Sequence, residues 1–251
     1  MRIAVLADIH GNVLALEAVL ANLARRGGAD AVVDLGDCVS GPLWPRDTME
    51  RLEALGARTV RGNHDRQVAT LDPAAMGPSD RVAHAALSPE QRARLGALPP
   101  TLTVAPGILA CHATPARDET YLVETVSGGR LLRDRPEAIA RRLGDVGPAR
   151  LVLCGHSHRT ELVRLPGGVL IVNPGSVGGP GYADPAEPAH VSEAGSPHAR
   201  YAVLDIPNGT AGEPVVTFLA VPYDNEAAAR RAEAHGRPDW AMALRTGFMS
   251  L

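Results

Sequence analysis

Carboxylate and imidazole side chains recur along the chain, each directly after a short apolar segment. The blocks are Asp8-x-His10, Gly36-Asp37, Gly62-Asn63-His64-Asp65, His112 and Gly155-His156-x-His158. Carboxylate, imidazole and amide oxygen together suit Mn, Fe, Zn, Co or Ni better than an all-oxygen Mg or Ca site or a thiolate zinc site. In an extended segment residues i and i+2 point the same way, so each D-x-H or H-x-H pair can converge on one small volume. The residue types therefore predict a transition-metal centre.

The segments that precede these blocks are typical of strands buried on both faces of a sheet. Residues 3–7, 31–35 and 58–60 are predicted as strands. Between them we predict one helix that begins after the capping residue Asn12 and ends at Gly27-Gly28, and a second over residues 47–55. The order β-α-β-α-β indicates parallel pairing. Open α/β sheets bind ligands at the carboxyl ends of such strands, which is where the polar blocks lie.

The remaining segments extend this pattern toward antiparallel pairing. Residues 108–111 and 151–154 are predicted as strands, 161–165 and 169–172 as a hairpin, and 201–206 and 215–221 as further strands. Helices are predicted over 89–97, from the start signal Ser88-Pro89-Glu90-Gln91, and over 226–234. Residues 177–199 show no period and are predicted as a long exposed loop. Without a repeat or linker, we expect one domain over residues 1–251.

Charge and composition exclude several classes of function. The net charge is -3, which counts against nucleic acid as a partner, and all 25 basic residues are arginine, so no lysine serves a P-loop or a Schiff base. No apolar run approaches the ~18 residues of a membrane span, and the first run is too short for a signal peptide. We therefore expect a cytoplasmic protein without a membrane partner. Three cysteines favour reduced thiols.

In their order along the chain, the blocks resemble the signature of the calcineurin-like metallophosphoesterase superfamily. The likeness covers residues 1 to about 177, and the segment Asn173-Pro174-Gly175-Ser176-Val177-Gly178 is similar to that of its small bacterial phosphoesterases. This resemblance implies an α/β fold, a four-layer α/β/β/α sandwich of two mixed β-sheets flanked by helices. It also implies hydrolysis of phosphate mono- or diesters, with a small phosphorylated molecule as substrate.

The resemblance further implies a centre of two divalent transition-metal ions. One would be held by Asp8, His10, Asp37 and His158, and the other by Asp37, Asn63, His112 and His156. The bridging Asp37 would use its two carboxylate oxygens for the two ions. Manganese is expected first, with Fe, Zn, Co or Ni as alternatives. A hydroxide bridging the two ions would attack phosphorus in line while both ions neutralise phosphoryl charge.

By the same resemblance, His64 protonates or stabilises the leaving oxygen, and the adjacent Asp65 is expected to orient it. A purely structural hydrogen bond is the alternative for His64, and a helix or turn cap is the alternative for Asn63. Two other functions compete with the phosphoesterase: a non-catalytic metal-binding scaffold of the same fold and a nuclease of the same superfamily. The complete ligand set favours an enzyme, and the net acidity counts against a nuclease.

The chain departs from the superfamily pattern shortly after Gly36-Asp37. Many members carry Asp-Arg there, which gives the histidine a partner and the phosphate an arginine, whereas Ser40 and Gly41 occupy those places here. The arginine could come from a position that flanks the blocks, with ordinary surface charge as the alternative. The candidates are Arg61, Arg66, Arg117 and Arg159.

Several other residues have a plainer interpretation. Cys38, Cys111 and Cys154 lie beside the blocks, where packing is expected in preference to metal or redox chemistry. Surface or loop positions are expected for the histidines outside every block, which are His84, His190, His198 and His235. Loops around residues 66–84, 114–135 and 177–199 are expected to determine the substrate. The number of subunits, including a homo-oligomer, is left open.

Overall fold

Three mixed β-sheets and eight α-helices form the part of the protein that this computed structural model describes, residues 1–207 and 212–250. The strands are β1 Arg2–Leu6, β2 Ala31–Asp34, β3 Arg58–Thr59, β4 Thr101–Ala105, β5 Ile108–Cys111, β6 Glu124–Ser127, β7 Arg130–Arg133, β8 Leu151–Leu153, β9 Thr160–Arg164, β10 Leu170–Pro174, β11 Gly181–Asp184, β12 His190–Glu193, β13 Ala199–Asp205 and β14 Val215–Val221. The helices are α1 Val13–Arg25, α2 Pro45–Leu55, α3 Asn63–Thr70, α4 Pro78–Ala86, α5 Pro89–Ala97, α6 Pro136–Leu143, α7 Asn225–Ala234 and α8 Pro238–Thr246.

Two of the sheets are the mixed sheets that the sequence predicts. The first has the order β14-β13-β1-β2-β3, in which β1, β2 and β3 are parallel, and the second has the order β4-β5-β8-β10-β9, in which β5, β8 and β10 are parallel. The predicted hairpin is confirmed as the antiparallel pair β9 and β10. A smaller third sheet, β11-β12-β7-β6, adds to the predicted architecture.

The alternation of side chains along the strands separates three apolar layers. Val5 and Leu153 belong to one buried apolar cluster between the two large sheets, whereas the neighbour Leu6 points to the opposite face and belongs to a second cluster with Leu16 of α1. The outer face of the second sheet is covered by α6 through Ile139. The order is helix, sheet, sheet, helix, which confirms the predicted four-layer sandwich.

Local capping signals explain why the helices begin where they do. The Asn12 side chain accepts a hydrogen bond from the Ala15 amide, and Ser88 and Gln91 form the reciprocal capping box of α5. The second helix begins at Pro45, two residues before the predicted start, because proline suits the first turn of a helix. The predicted final helix is confirmed as α7.

The predicted long exposed loop over residues 177–199 is wrong. The segment forms β11 and β12, and residues 177–181 are buried. Strand β12 pairs with β7, where Val191 stands opposite Arg130. Because these two strands are far apart in the sequence, their pairing leaves no periodic pattern within the segment itself. The segments expected as loops around 66–84 and 114–135 likewise contain α3 and α4, and β6 and β7. Helix α8 was not predicted.

The cysteines pack as expected. Cys38, Cys111 and Cys154 are free thiols, each buried at or just after the end of a strand or in the loop that follows it. Within the described ranges, none of the helices combines the length and apolar character that crossing a membrane requires.

Candidate metal centre

The seven predicted metal ligands meet at one edge of the two large sheets. Asp8 and His10 follow β1, Asp37 follows β2, Asn63 opens α3, His112 follows β5, and His156 and His158 follow β8. Because parallel strands present their carboxyl ends at the same edge, five separate segments of chain deliver side chains to one place. All but His156 are buried, and His156 is partly buried.

The side chains form two adjacent groups, each suited to one cation. Asp8, His10 and His158 make up the first group, and Asp37, His112 and His156 make up the second, with the ligand atoms of each group within 4.8 Å of one another. The Oδ1 atom of Asn63 lies 3.0 Å from His112 Nε2, so it joins the second group. The grouping matches the division of ligands that the superfamily resemblance implies.

Asp37 lies between the two groups. Its Oδ2 atom is 3.9 Å from His10 Nε2 in the first group and 3.4 Å from His112 Nε2 in the second. Its Oδ1 atom accepts a hydrogen bond from the His64 backbone amide at 2.9 Å. A single oxygen therefore faces both groups, which differs from the expectation that each carboxylate oxygen would hold one ion.

Hydrogen bonds on the outer side of three imidazole rings turn their Nε2 atoms toward the centre. The Nδ1 atoms of His10, His112 and His158 donate to backbone carbonyl oxygens at 2.6–2.7 Å. In the neutral rings Nε2 then carries a lone pair, yet His10 Nε2 and His158 Nε2 lie only 3.0 Å apart. Two lone pairs at this distance repel, and a shared cation would relieve the repulsion. The donor set therefore fits divalent transition-metal ions.

Backbone strain marks the same residues independently of any motif. Within residues 1–207 and 212–250, the non-glycine residues with positive φ are Asp8 (54°), His10 (50°), Asp37 (57°), His156 (69°) and His158 (58°). A left-handed conformation costs about 1–2 kcal/mol for a residue with a side chain. Such strain persists where the surrounding structure imposes it, and it concentrates at functional sites.

Glycines in two of the blocks make room for the carboxylates. A Cβ atom at Gly62 would lie 2.1 Å from Asp37 Oδ1, and one at Gly155 would lie 2.9 Å from Asp8 Oδ2. Contacts this short cannot be accommodated without a shift of the carboxylate. The glycines of the Gly-Asn-His-Asp and Gly-His-Ser-His blocks are therefore required by the packing of the centre itself.

Burial and charge set the protonation of the ligands in the metal-free protein. Burial lowers the pKa of His10 to about 4 and that of His156 to about 3, so both rings are neutral at pH 7 and are ready to bind metal. At His112 burial is outweighed by the charge of Asp37, which raises the pKa to about 10. Burial also works against ionised Asp37, but the charge of His112 holds its pKa well below the usual range.

His64 lies at the edge of the centre and is held by a residue that sequence analysis missed. Its Nδ1 atom donates to Asp80 Oδ1 at 2.8 Å, and the Ser40 hydroxyl donates to the same oxygen at 2.6 Å. Burial lowers the pKa of His64, but the charges of Asp37 and Asp80 outweigh it and raise the pKa to about 9. The one signal for Asp80 was the helix start that Pro78 indicates, in a segment expected as a loop.

The expectation that Asp65 orients His64 is wrong. Its carboxylate accepts hydrogen bonds from the backbone amides of Asp37, Cys38 and Gly62 at 2.8, 3.0 and 2.9 Å. Asp65 therefore ties the loop that carries Asp37 to the start of α3, and the His64 ring is hydrogen-bonded to Asp80 instead.

The arginines that flank the blocks lie to one side of the centre. Arg61, Arg66 and Arg117 line a cavity of about 440 Å³ beside His112, and Arg159 is not among its lining residues. Arg66 is already paired with Asp118 and Glu119, which leaves less of its charge for a phosphate.

A larger cleft, about 640 Å³ in volume, opens over both ligand groups and has aromatic walls. Tyr182 packs edge-on against His158, with ring centroids 4.7 Å apart, and Tyr121 stacks on His156 at 4.9 Å. The expectation of a surface or loop position is wrong for His190, which is buried and bonded to the Tyr121 hydroxyl at 2.8 Å. Tyr182 and His190 lie on the paired strands β11 and β12, and both are hydrogen-bonded to Tyr121 from a distant part of the chain, so no local pattern revealed them.

Comparison with known proteins agrees with this geometry. The family model of the calcineurin-like phosphoesterase superfamily domain matches residues 1–195. A metallophosphoesterase from Sphaerobacter thermophilus is 24% identical with a TM-score of 0.73, and the match covers 99% of this chain and 100% of that chain. A hypothetical protein from Pyrococcus horikoshii OT3 is 22% identical with a TM-score of 0.74, over 99% of each chain.

No curated protein matches the chain significantly. At their level of identity the two solved structures show the fold, and the family model spans well over half of the chain. The resemblance read from the sequence blocks is thus confirmed. The chain belongs to the calcineurin-like phosphoesterase superfamily.

Proposed function

We propose that the protein is a dinuclear metal-dependent hydrolase of phosphate monoesters or diesters. The observation that carries the proposal is the position of Asp37 Oδ2, which faces His10 in one ligand group and His112 in the other. Two bound divalent ions would supply a nucleophile from water near neutral pH and neutralise charge on the phosphoryl oxygens. Manganese is the metal that we propose first, since the site combines imidazole with carboxylate and amide oxygen.

The residues of the chain itself supply the proton that the leaving oxygen needs. His64 lines the cleft and donates from Nδ1 to Asp80, which leaves Nε2 as the atom that exchanges a proton with the substrate. In the metal-free protein the charges of Asp37 and Asp80 outweigh burial and raise the pKa of His64 to about 9. His64 is therefore proposed as the general acid, or as the cation that stabilises the leaving oxygen.

The dimensions of the cleft indicate the size of the substrate. A volume of about 640 Å³ falls within the range of sites that enclose a drug-sized molecule. Trp240 and Tyr182 form apolar walls on two sides of the ligand groups. We therefore propose an organic phosphate ester as the substrate. The buried free thiols suit the reducing cytoplasm, which we propose as the location.

Hydrolysis of p-nitrophenyl phosphate and of bis(p-nitrophenyl) phosphate with added Mn²⁺ tests the proposal. We expect Asp37→Asn to lose both metal and turnover, and His64→Ala to lose turnover while metal content, measured by elemental analysis, stays near that of the wild type. His84→Ala is the matched control, because His84 is half-buried, donates to the Val68 carbonyl and lies outside the cleft. A wild-type protein with metals bound and neither ester hydrolysed would indicate a non-catalytic scaffold instead.

A further inference from the structure

The carboxylate of Asp80 connects His64 to Ser40 at the edge of the cleft. Its Oδ1 atom accepts one hydrogen bond from His64 Nδ1 at 2.8 Å and a second from Ser40 Oγ at 2.6 Å. The Asp80 side chain is only 3% exposed, whereas that of His64 is 35% exposed. The contact is therefore shielded from water on the side of Asp80 and open on the side of the cleft.

We infer that Asp80 is the positioning residue of His64 and supplies from helix α4 the carboxylate that the loop after β2 lacks at position 40. The inference rests on the proposed function. A ring that donates from Nδ1 to a fixed carboxylate has one tautomer and one orientation, so its Nε2 atom is presented to the cleft. The same arrangement ties His64 to the metal ligands, because the Ser40 carbonyl accepts from His10 Nδ1 at 2.7 Å.

The other nearby carboxylates are committed elsewhere. Asp65 accepts three backbone amides, and Asp37 Oδ1 accepts the backbone amide of His64 and not its ring. Within the described residues, Asp80 is the carboxylate that is hydrogen-bonded to the His64 ring. It occupies the third position of α4, where the preceding Ser79 accepts from Arg237 Nη1 at 2.8 Å. The start of α4 is thereby also anchored to the C-terminal part of the chain.

The geometry allows a carboxylate at residue 40 to take the place of the Asp80 carboxylate beside His64. The Ser40 hydroxyl oxygen lies 2.6 Å from Asp80 Oδ1, so an aspartate at position 40 would extend toward the place that this oxygen occupies. Exchanging the two residues, as Ser40→Asp with Asp80→Ser, should preserve the contact to His64. Ser40→Ala with Asp80→Ser removes the carboxylate without replacing it and is the matched control.

The leaving group separates positioning of an acid from general structural damage. Phenyl phosphate has a poor leaving group that needs a proton, whereas p-nitrophenolate leaves readily without one. In the manganese-loaded protein we expect Asp80→Asn to lower kcat about 100-fold for phenyl phosphate and less than about tenfold for p-nitrophenyl phosphate, with KM little changed. The exchanged variant should recover most of the loss on phenyl phosphate, and the control pair should not.

A second measurement does not depend on activity. In the metal-free protein, the Nδ1 proton of His64 should give a hydrogen-bonded imidazole signal by ¹H–¹⁵N NMR in the wild type and in the exchanged variant. The signal should be lost in the control pair, while thermal unfolding shows that each variant is folded. Asp34→Asn removes another buried carboxylate, which accepts from Gly36 and Cys38, and should leave the ratio of rates on the two esters at its wild-type value.

The inference is overturned if Asp80→Asn lowers both rates by the same factor, if the exchanged variant is no better than the control pair, or if the His64 signal persists without a carboxylate. Failure of the proposed function has a different signature. A wild-type protein that hydrolyses neither ester would refute the proposed hydrolase, while the NMR comparison would still decide whether Asp80 holds His64.

Discussion

The indole ring of Trp240 in α8 lies edge to face with the imidazole ring of His10, with 5.8 Å between the ring centroids and 75° between the ring planes. Helix α8 lies beyond residues 1–195, which the superfamily domain matches. A part of the chain outside the matched domain therefore contacts a predicted metal ligand and forms one wall of the cleft. This position makes Trp240 a candidate for direct contact with the substrate.

We predict that Trp240→Ala weakens binding of a bulky aromatic ester more than that of a small one. Loss of an aromatic contact worth about 0.5–1.5 kcal/mol corresponds to a rise in KM of about twofold to 13-fold. The measurement compares KM for bis(p-nitrophenyl) phosphate with KM for methyl p-nitrophenyl phosphate. Trp44→Ala is the control, because Trp44 packs under Arg231 and does not line the cleft. An equal change in KM for the two esters would contradict a contact between Trp240 and the substrate.

The sequence predicts the centre well where its signals are local. Residues 3–7 and 31–35 are read as buried strands because an unbroken apolar run that ends in polar residues is visible in the chain itself. Strands β1 and β2 confirm this, and Asp8 and Asp37 follow them closely. The expectation that residues i and i+2 of an extended segment point the same way predicts the correct grouping of Asp8 with His10, but its physical reason is wrong. Both residues have left-handed backbone conformations, so the pair converges through a strained loop and not through a strand.

The rest of the site depends on packing between distant segments. Asp80 reaches His64 only because α4 packs beside α3, and Trp240 reaches His10 only because α8 returns to the edge of the sheets. His156 and His158 are also two residues apart, so the rule for an extended segment groups them, yet they enter different groups. No pattern within a short stretch of the sequence specifies these contacts. Adjacency in the sequence does not determine which carboxylate contacts a given imidazole ring.

Metal binding should stabilise the folded protein. In the metal-free state the strained backbone and the facing lone pairs of His10 and His158 oppose folding, and a bound cation relieves the repulsion. Manganese at about 100 times its dissociation constant should add about 2.7 kcal/mol, or roughly 5–10 °C in Tm. Thermal unfolding with chelator and with added Mn²⁺ measures the shift. Asp37→Asn should show a much smaller shift, and an unchanged wild-type Tm would mean that the two groups do not bind this metal.

Replacing Gly62 with alanine should damage the centre without touching a ligand. The new Cβ would lie 2.1 Å from Asp37 Oδ1, so either the carboxylate or the start of α3 must move. We expect a loss of about 1–3 kcal/mol in the free energy of unfolding, together with reduced metal content. Gly167→Ala is the matched control, since its Cβ meets nothing within 4 Å, and it should change neither quantity appreciably. Full metal content in Gly62→Ala would show that the carboxylate tolerates the shift.

Glu124 should make the stability of the metal-free protein fall as pH rises. Burial raises the pKa of this carboxyl from 4.5 to about 7, although Ser157 Oγ donates to it at 2.7 Å. Between pH 4.5 and about 7, the carboxyl group of Glu124 therefore holds its proton more tightly in the folded protein than in the unfolded chain. The resulting contribution to stability is complete below pH 4.5 and is lost as pH rises through about 7. The shift corresponds to about 3 kcal/mol between pH 4 and pH 8.

Glu124→Gln should remove this part of the pH dependence, because glutamine keeps an acceptor for Ser157 and carries no titrating proton. Urea unfolding of the metal-free proteins at pH 5 and pH 8 measures the change, and the variant should gain stability relative to the wild type at pH 8. Glu161→Gln breaks the ion pair of a neighbouring buried carboxylate with Arg133 and, because the charge of Glu161 helps to raise the pKa of Glu124, should reduce the pH dependence only in part. If Glu124→Gln and the wild type lose stability equally between pH 5 and pH 8, the buried carboxyl group of Glu124 is not the group that titrates.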